Sequence, residues 1–172
     1  MEFNDLVRDR ESNRDYDPQK PVSKEVLERI LETAHMAPSA VNKQPWEFWV
    51  VQSPEMLEKV RACYHRPWFK EAPVILVIVG DRNKAWVRQY DGYNSIETDL
   101  AILMTHVILA AENERVSACY VEAYDPAILR EALGLGENQV VYGITPLGYP
   151  HDGKGKQGNK SRKNLHEVLR YL

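Results

Sequence analysis

Ala37-Pro38-Ser39-Ala40-Val41-Asn42-Lys43-Gln44-Pro45-Trp46-Glu47-Phe48-Trp49-Val50-Val51 is the stretch on which the reading of this chain turns. It joins a predicted helix to a predicted strand through a loop of unusual chemistry. Pro38 and Pro45 restrict the backbone and withhold two N–H donors. Ser39, Asn42 and Gln44 supply hydrogen-bonding groups at defined places between them. Such a loop is rigid and flat, as a planar ligand requires. The plainer alternative is an ordinary helix-to-strand connection with Trp46 and Phe48 in the core.

Upstream, Ser23 is placed to cap a helix running to His35, with Val26, Leu27, Ile30, Leu31 and Ala34 on its apolar face. Pro38 ends it. Further back, Phe3, Leu6 and Val7 have helical spacing and predict a short N-terminal helix. Between these helices lies Arg8-Asp9-Arg10-Glu11-Ser12-Asn13-Arg14-Asp15-Tyr16. An extended backbone there points Arg10, Ser12 and Arg14 the same way. Two guanidiniums and a hydroxyl on one side make an anion cradle. A solvated turn, with Asp9, Glu11 and Asp15 neutralising the arginines, is the competing reading.

Downstream, Glu47–Val51 reads as a strand, and Ser53-Pro54 caps a short helix carrying Met56, Leu57 and Val60. Cys63–Phe69 reads as irregular, aromatic and cationic. Pro73–Val79 is a continuous β-branched run, hence a strand buried on both faces. Ser95–Asn113 is the longest helical candidate, apolar on every side in its middle, and so a central buried helix with His106 satisfied within it. Val116–Val121 and Gln139–Gly148 read as strands. Asp125-Pro126 opens a helix that Gly134 closes. The glycine-rich stretch from His151 to Lys163 carries Lys154, Lys156, Lys160, Arg162 and Lys163. Asn159-Lys160-Ser161-Arg162 sets two cations and a hydroxyl where one anion can meet them. Leu165, Val168 and Leu169 close the chain in a short helix or strand. Helices and strands mix without regular βαβ alternation, so the class is α+β.

The bulk properties narrow the function. The chain has 172 residues and a net charge of −3, which suits one compact domain (1–172) and gives no global pull toward nucleic acid. Two cysteines, Cys63 and Cys119, form no CxxC pair, so a reduced, cytoplasmic setting is expected. The acidic start lacks signal-peptide character, and the apolar run Leu100–Ala111 is too short to cross a bilayer. There is no Walker loop, no G-x-S-x-G elbow, no HExxH and no complete Rossmann fingerprint.

Arg10-x-Ser12-x-Arg14, the Ala37–Phe48 loop, Val121-Glu122-Ala123-Tyr124-Asp125-Pro126 and Lys160-x-Arg162 occur together in an order that resembles the nitroreductase family of FMN-dependent oxidoreductases, in a short form. The loop matches the family's (A)PSxxNxQPWxF pattern almost letter for letter, and the resemblance covers nearly the whole chain. It implies a mixed sheet flanked by helices, with the long central helix at the interface of a homodimer. FMN would lie at that interface, taking electrons from NADH or NADPH and passing them to a nitroaromatic, quinone or similar acceptor. Arg10, Ser12, Lys160 and Arg162 would hold the phosphate, and Arg14 would sit near the N1/O2 edge of the ring. Pro38, Ser39, Ala40 and Asn42 of the partner would line the ring, and Glu122–Ala123 would lie near N5. No nucleophile or metal is implied. Alternatives on the same fold are a flavin-storing protein without turnover and a dehalogenase-like flavoenzyme. Glu11, Ala123 and Asn113-Glu114-Arg115 depart from the pattern, standing where a basic residue, a glycine and a glycine-rich stretch are usual. Cys63–Phe69 is expected at the pocket edge, with His65 or Arg66 as a second cation.

Overall fold

The strand from Val74 to Asp81 has no polar side chain before its last residue, so it needs cover on both faces. The computed structural model describes residues 1–152, 158 and 160–172. Its elements in chain order are α1 (Phe3–Asp9), α2 (Lys24–His35), a single 3-10 turn (Ala40–Asn42), β1 (Trp46–Val51), α3 (Pro54–Arg61), α4 (Pro67–Glu71), β2 (Val74–Asp81), α5 (Ile96–Asn113), β3 (Ser117–Ala118), α6 (Pro126–Leu133), β4 (Gln139–Val140), β5 (Ile144–Gly148) and α7 (Leu165–Val168). The sheet runs β1-β2-β5-β3, with β4 also on β2.

Alternation along β2 divides the core. Val74, Leu76 and Ile78 pack with α2 and α5, whereas Ile75, Val77 and Val79 pack with Leu57, Val60, Phe69 and Leu129 from α3, α4 and α6. The result is a helix–sheet–helix sandwich of the α+β class. At Gly80, an added Cβ would lie 2.6 Å from Ile96 Cδ1 and 2.8 Å from Leu100 Cδ1, so α5 is seated directly on the strand backbone.

The helix caps follow the sequence. Ser23 accepts from Val26 N–H, Ser53 from Met56 N–H, and Asp125 from Ala127 and Ile128 N–H. Gly134 takes the left-handed position after α6.

The structure departs from the sequence reading in four respects, three of them in the strands. Every strand pairing among the described residues is antiparallel, where a mixed sheet was expected. β1 and β2 are joined through the short helices α3 and α4, whereas β2 and β5 pair antiparallel although α5, β3, α6 and β4 lie between them in the chain. The run 139–148 is broken in two. Val141, Tyr142 and Gly143 oppose only Ile78 and Val79 between the pairs Gly80↔Val140 and Val77↔Ile144, which is a β-bulge. The run 116–121 pairs only at Ser117–Ala118 and then at an isolated bridge, Val121↔Ile144. Ile144 exchanges both backbone bonds with Val121. By the strand period, Pro146 faces the same edge, where it has no N–H to donate. Finally, Cys63–Phe69 is not wholly irregular, because Pro67 starts α4 and buries Phe69.

The long helix also differs. Leu100, Leu103, Met104, Val107, Ala110 and Ala111 are buried, but Glu97, Ala101 and Thr105 form an exposed stripe at i, i+4 and i+8. His106 is half-buried and pairs through Nδ1 with Ile102 O at 3.0 Å.

At the end of α5, Arg115 (φ 59°) does what a glycine usually does: Arg115 N–H bonds Glu112 O and Val116 N–H bonds Ala111 O. A non-glycine residue in that conformation costs about 1 kcal/mol. Arg115→Gly should therefore raise stability by about 0.5–1 kcal/mol. Chemical denaturation reads this as a higher midpoint, and an unchanged or lower midpoint would show that the arginine is unstrained.

Candidate functional site

The segment after α1 is held by its inward side chains. Asn13 N–H donates to Ala118 O at 3.0 Å, and Asn13 Nδ2 donates to Ser117 Oγ at 2.7 Å. Tyr16 is fully buried, its hydroxyl donating to Asn13 O at 3.0 Å, and burial raises its pKa well above the ordinary phenol value. Asp17 N–H reaches Tyr149 O at 2.7 Å. With these residues turned inward, Ser12 and Arg14 are left exposed on the outer side.

The competing reading, in which nearby acids neutralise the arginines, does not hold among the described residues. Glu11 accepts from Gly158 N–H at 3.1 Å, and Asp15 accepts from His151 N–H at 2.8 Å and pairs with its Nδ1 at 3.1 Å. Arg10, Arg14 and Arg162 take part in none of the ion pairs formed among the described residues.

These cations share one recess of about 280 Å³, lined by Arg10, Glu11, Ser12, Arg14, Lys160, Ser161 and Arg162. Lys160, however, turns its ammonium onto the backbone. It donates to the carbonyls of Val7, of Arg8 (3.2 Å) and of Arg10 (3.0 Å), at the C-terminal end of α1. Burial, followed by the charges of Arg10 and Arg162, lowers its pKa. Lys160 thus fastens the tail to α1, and the cations left open to the recess are the three arginines. Asn159, Lys154 and Lys156 lie outside the described residues.

Beside the recess is a larger cavity of about 1030 Å³, shared by Arg10, Ser12 and Arg162 with Thr105, Ile108 and Leu109 of α5 and with Tyr120. A third, of about 330 Å³, continues past Tyr120 over Glu97 and Ala101 and includes Glu122. The exposed stripe of α5 floors both. From Glu97 to Leu109 this groove runs roughly 18 Å at the helical rise.

The Pro38–Gln44 loop lies elsewhere. Ala40 N–H donates at 2.8 Å to Asp99, near the start of α5, and Asp99 also accepts from Ser95 Oγ at 2.7 Å. Ser39 Oγ accepts from Gln44 N–H at 2.9 Å, and Gln44 Nε2 reaches Asn42. Val41, Asn42 and Gln44 all have positive φ, a conformation L side chains adopt at a cost. Pro38, Ser39, Ala40 and Asn42 do not line the cavity of Arg10 and Arg162 in the same chain. Glu122 and Ala123 form an exposed turn ahead of α6, and Ala123 keeps negative φ, so its Cβ is accommodated without strain.

Within one chain, Cys63–Phe69 does not border the groove. Cys63 and Phe69 are buried on the sheet face away from α5, where Tyr64, Trp68 and Phe69 pack edge to face. His65 and Arg66 are exposed at that corner and line neither groove cavity. Cys63 is no nucleophile, since burial and then Asp125 push its pKa up to about 12.

Asp99, Tyr120 and the α5 stripe were not singled out from sequence. An acid on the apolar side of the helix, beside Leu100 and Leu103, was the available signal for Asp99. Nothing local marks Tyr120.

Fold and site together define an α+β protein with an arginine-lined recess at one end of a helix-floored groove. The Nitroreductase family model matches residues 7–63 and 56–149, and the chain belongs to that family. A nitroreductase family protein from Clostridium difficile 630 superposes with a TM-score of 0.91 at 30% identity, covering 99% of this chain and 98% of that one. A protein of Archaeoglobus fulgidus, provisionally named an NADH dehydrogenase/NAD(P)H nitroreductase, is 32% identical over 154 residues, 87% of this chain and 86% of that one. A chain from Exiguobacterium sibiricum, solved in complex with FMN, shares the fold with a TM-score of 0.85 at 21% identity, covering 100% of this chain and 98% of that one. Among the described residues no helix is long and apolar enough to cross a membrane.

Asp99→Ala should cost about 1–3 kcal/mol, because it strands the Ala40 N–H and the buried Ser95 hydroxyl. It should also speed proteolysis after Lys43 at temperatures where the rest stays folded. Unchanged stability and cleavage would show that the loop holds itself.

Proposed function

We propose that this protein is an FMN-dependent oxidoreductase that takes electrons from NADH or NADPH and delivers them in pairs to a nitroaromatic, quinone or similar small acceptor. The observation that carries this reading is the set of arginines, Arg10, Arg14 and Arg162, that share a recess with Ser12 and have no carboxylate partner among the described residues. A phosphate dianion is the complement of such a set, since each guanidinium adds a charge-assisted bond. Bound FMN supplies the hydride chemistry, so the chain's part is to bind, orient and tune.

In this reading Arg10, Ser12 and Arg162 hold the phosphate, and Lys160 holds the tail that presents Arg162. Arg14, at the same recess, contributes positive potential that favours the reduced ring. Glu122, with Ala123 next to it in the chain, borders the groove nearer the start of α5. Purified protein should show flavin absorption bands, and anaerobic NADH or NADPH should bleach them. Retained colour that no donor bleaches would point to flavin storage. Arg162→Ala, which leaves the phosphate short of a charged donor, should cost about 2–5 kcal/mol of binding, or roughly thirty-fold or more in FMN affinity by titration. Unchanged affinity would make the tail a solvated loop.

The site is proposed to be completed by a second copy of the chain. Pro38, Ser39, Ala40 and Asn42 are anchored near the start of α5, away from the phosphate recess, so the partner's loop would line the ring. Exposed apolar side chains at both ends of the chain support the same reading: Phe3, Leu165 and Val168 are each at least 65% exposed. Such surface is costly in a free monomer and is relieved across a two-fold axis. Mixing an inactive Arg10→Glu/Arg162→Ala variant with an inactive variant altered at Ser39 and Asn42 should restore one intact site per heterodimer. No recovery despite proven subunit exchange would mean that each site is built within one chain.

A further inference from the structure

The cavity of about 330 Å³ beyond Tyr120 has a chemistry opposite to that of the arginine recess. Three tyrosines, Tyr120, Tyr124 and Tyr142, form its walls, and Glu97 and Glu122 stand at its margin. Neither carboxylate takes part in the ion pairs formed among the described residues. The nearest cation in the bonding pattern, Arg82, lies outside the lining. It donates to the Tyr142 hydroxyl at 2.8 Å, lies over that ring 6.0 Å from its centroid, and borders the adjoining cavity, so the ring faces left for a ligand are chiefly those of Tyr120 and Tyr124.

The rings are held in place by backbone features. Tyr124 donates its hydroxyl to Val141 O at 2.6 Å, a carbonyl within the β-bulge. Tyr120 lies against Gly143, where an added Cβ would come within 2.0 Å of its Cε2. A bulge and a glycine are thus both used to set phenol rings around a space the core does not fill. Burial raises all three phenols; Glu122 adds to it for Tyr120, Cys63 and then Glu122 for Tyr124, while at Tyr142 the Arg82 charge opposes it and Glu97 adds to it. They stay neutral, electron-rich rings at working pH.

Aromatic faces with nearby carboxylates attract organic cations, through the ring quadrupole and through charge. A carboxylate or sulfonate ligand would meet two carboxylates that are ion-paired with no cation among the described residues. We propose that this cavity is the acceptor end of the groove and that it selects cationic aromatic acceptors, those carrying a quaternary ammonium or N-alkylpyridinium group, over anionic ones. The proposal rests on the flavin reading for its redox role, whereas the cation preference of the cavity stands on its lining alone.

The test uses the purified protein with two nitroarenes of opposite charge, (4-nitrobenzyl)trimethylammonium and 4-nitrobenzoate, and the variant Glu97→Gln. Glu97 is exposed on α5 and takes no part in the proposed flavin contacts. Calorimetric titration of the oxidised protein should show binding of the cation and none of the anion at the same concentration. Glu97→Gln should weaken the cation about three- to ten-fold. In steady-state assays the variant should lower the ratio of kcat/KM for cation over anion by a similar factor. Comparing ratios cancels the different intrinsic reactivities of the two compounds. Equal binding of both charges, or a ratio that Glu97→Gln does not move, overturns the proposal even where NADH bleaches the protein. Glu97-dependent cation binding in a protein that no donor bleaches would uphold the cavity and overturn the flavin reading instead.

Discussion

Two-sided burial of β2 is the constraint on which the rest of the structure depends. A strand reading Val-Ile-Leu-Val-Ile-Val-Gly cannot face water on either side, so helices must cover both faces. Gly80 decides how closely α5 approaches, since any side chain there would meet Ile96 and Leu100. Once α5 is seated, its buried residues are committed to the core. The stripe from Glu97 to Thr105 remains outside and becomes the floor of a groove. The site is therefore a by-product of how one long helix meets one apolar strand.

The same helix positions the two halves of the candidate site. Near its start, Asp99 holds Ser95 and the Ala40 N–H, which fixes the root of a loop carrying three non-glycine residues at positive φ. Farther along, Thr105, Ile108 and Leu109 border the cavity that Arg10 and Arg162 share. Strain of this kind persists only where surrounding contacts over-determine it. Here the Ser39–Gln44 and Gln44–Asn42 hydrogen bonds supply them.

Charge is distributed along the groove rather than averaged over the surface. Acids that could quench the arginine recess are spent on tail backbone and on His151, and Lys160 is spent on the carbonyls ending α1. This leaves a positive end. Beyond Tyr120, Glu97 and Glu122 make a negative one. A chain with a net charge of only −3 thus gathers arginines at one end of the groove and two carboxylates at the other, which composition cannot reveal.

Much of this was legible in the sequence because it is written locally. Ser23, Ser53 and Asp125 are caps that act within three residues, and β2 declares its burial by having no polar position before Asp81. The alternation of Arg10, Ser12 and Arg14 and the Ala37–Phe48 loop were enough to name the family. Tertiary structure alone decided where long-range partners intervene. Whether Glu11 and Asp15 would quench the arginines depended on chain 147 and 136 residues away. Pro146 interrupts pairing only because its missing N–H faces β3, an orientation set by register with Val121. Lys160 reads as a phosphate ligand until the end of α1 is brought against it. Tyr120 reads as nothing until a bulge places Gly143 beneath its ring. Caps and strand periods are set by neighbours a few residues apart, whereas the charge and shape of a groove are set by residues that meet only when the sheet and α5 have packed.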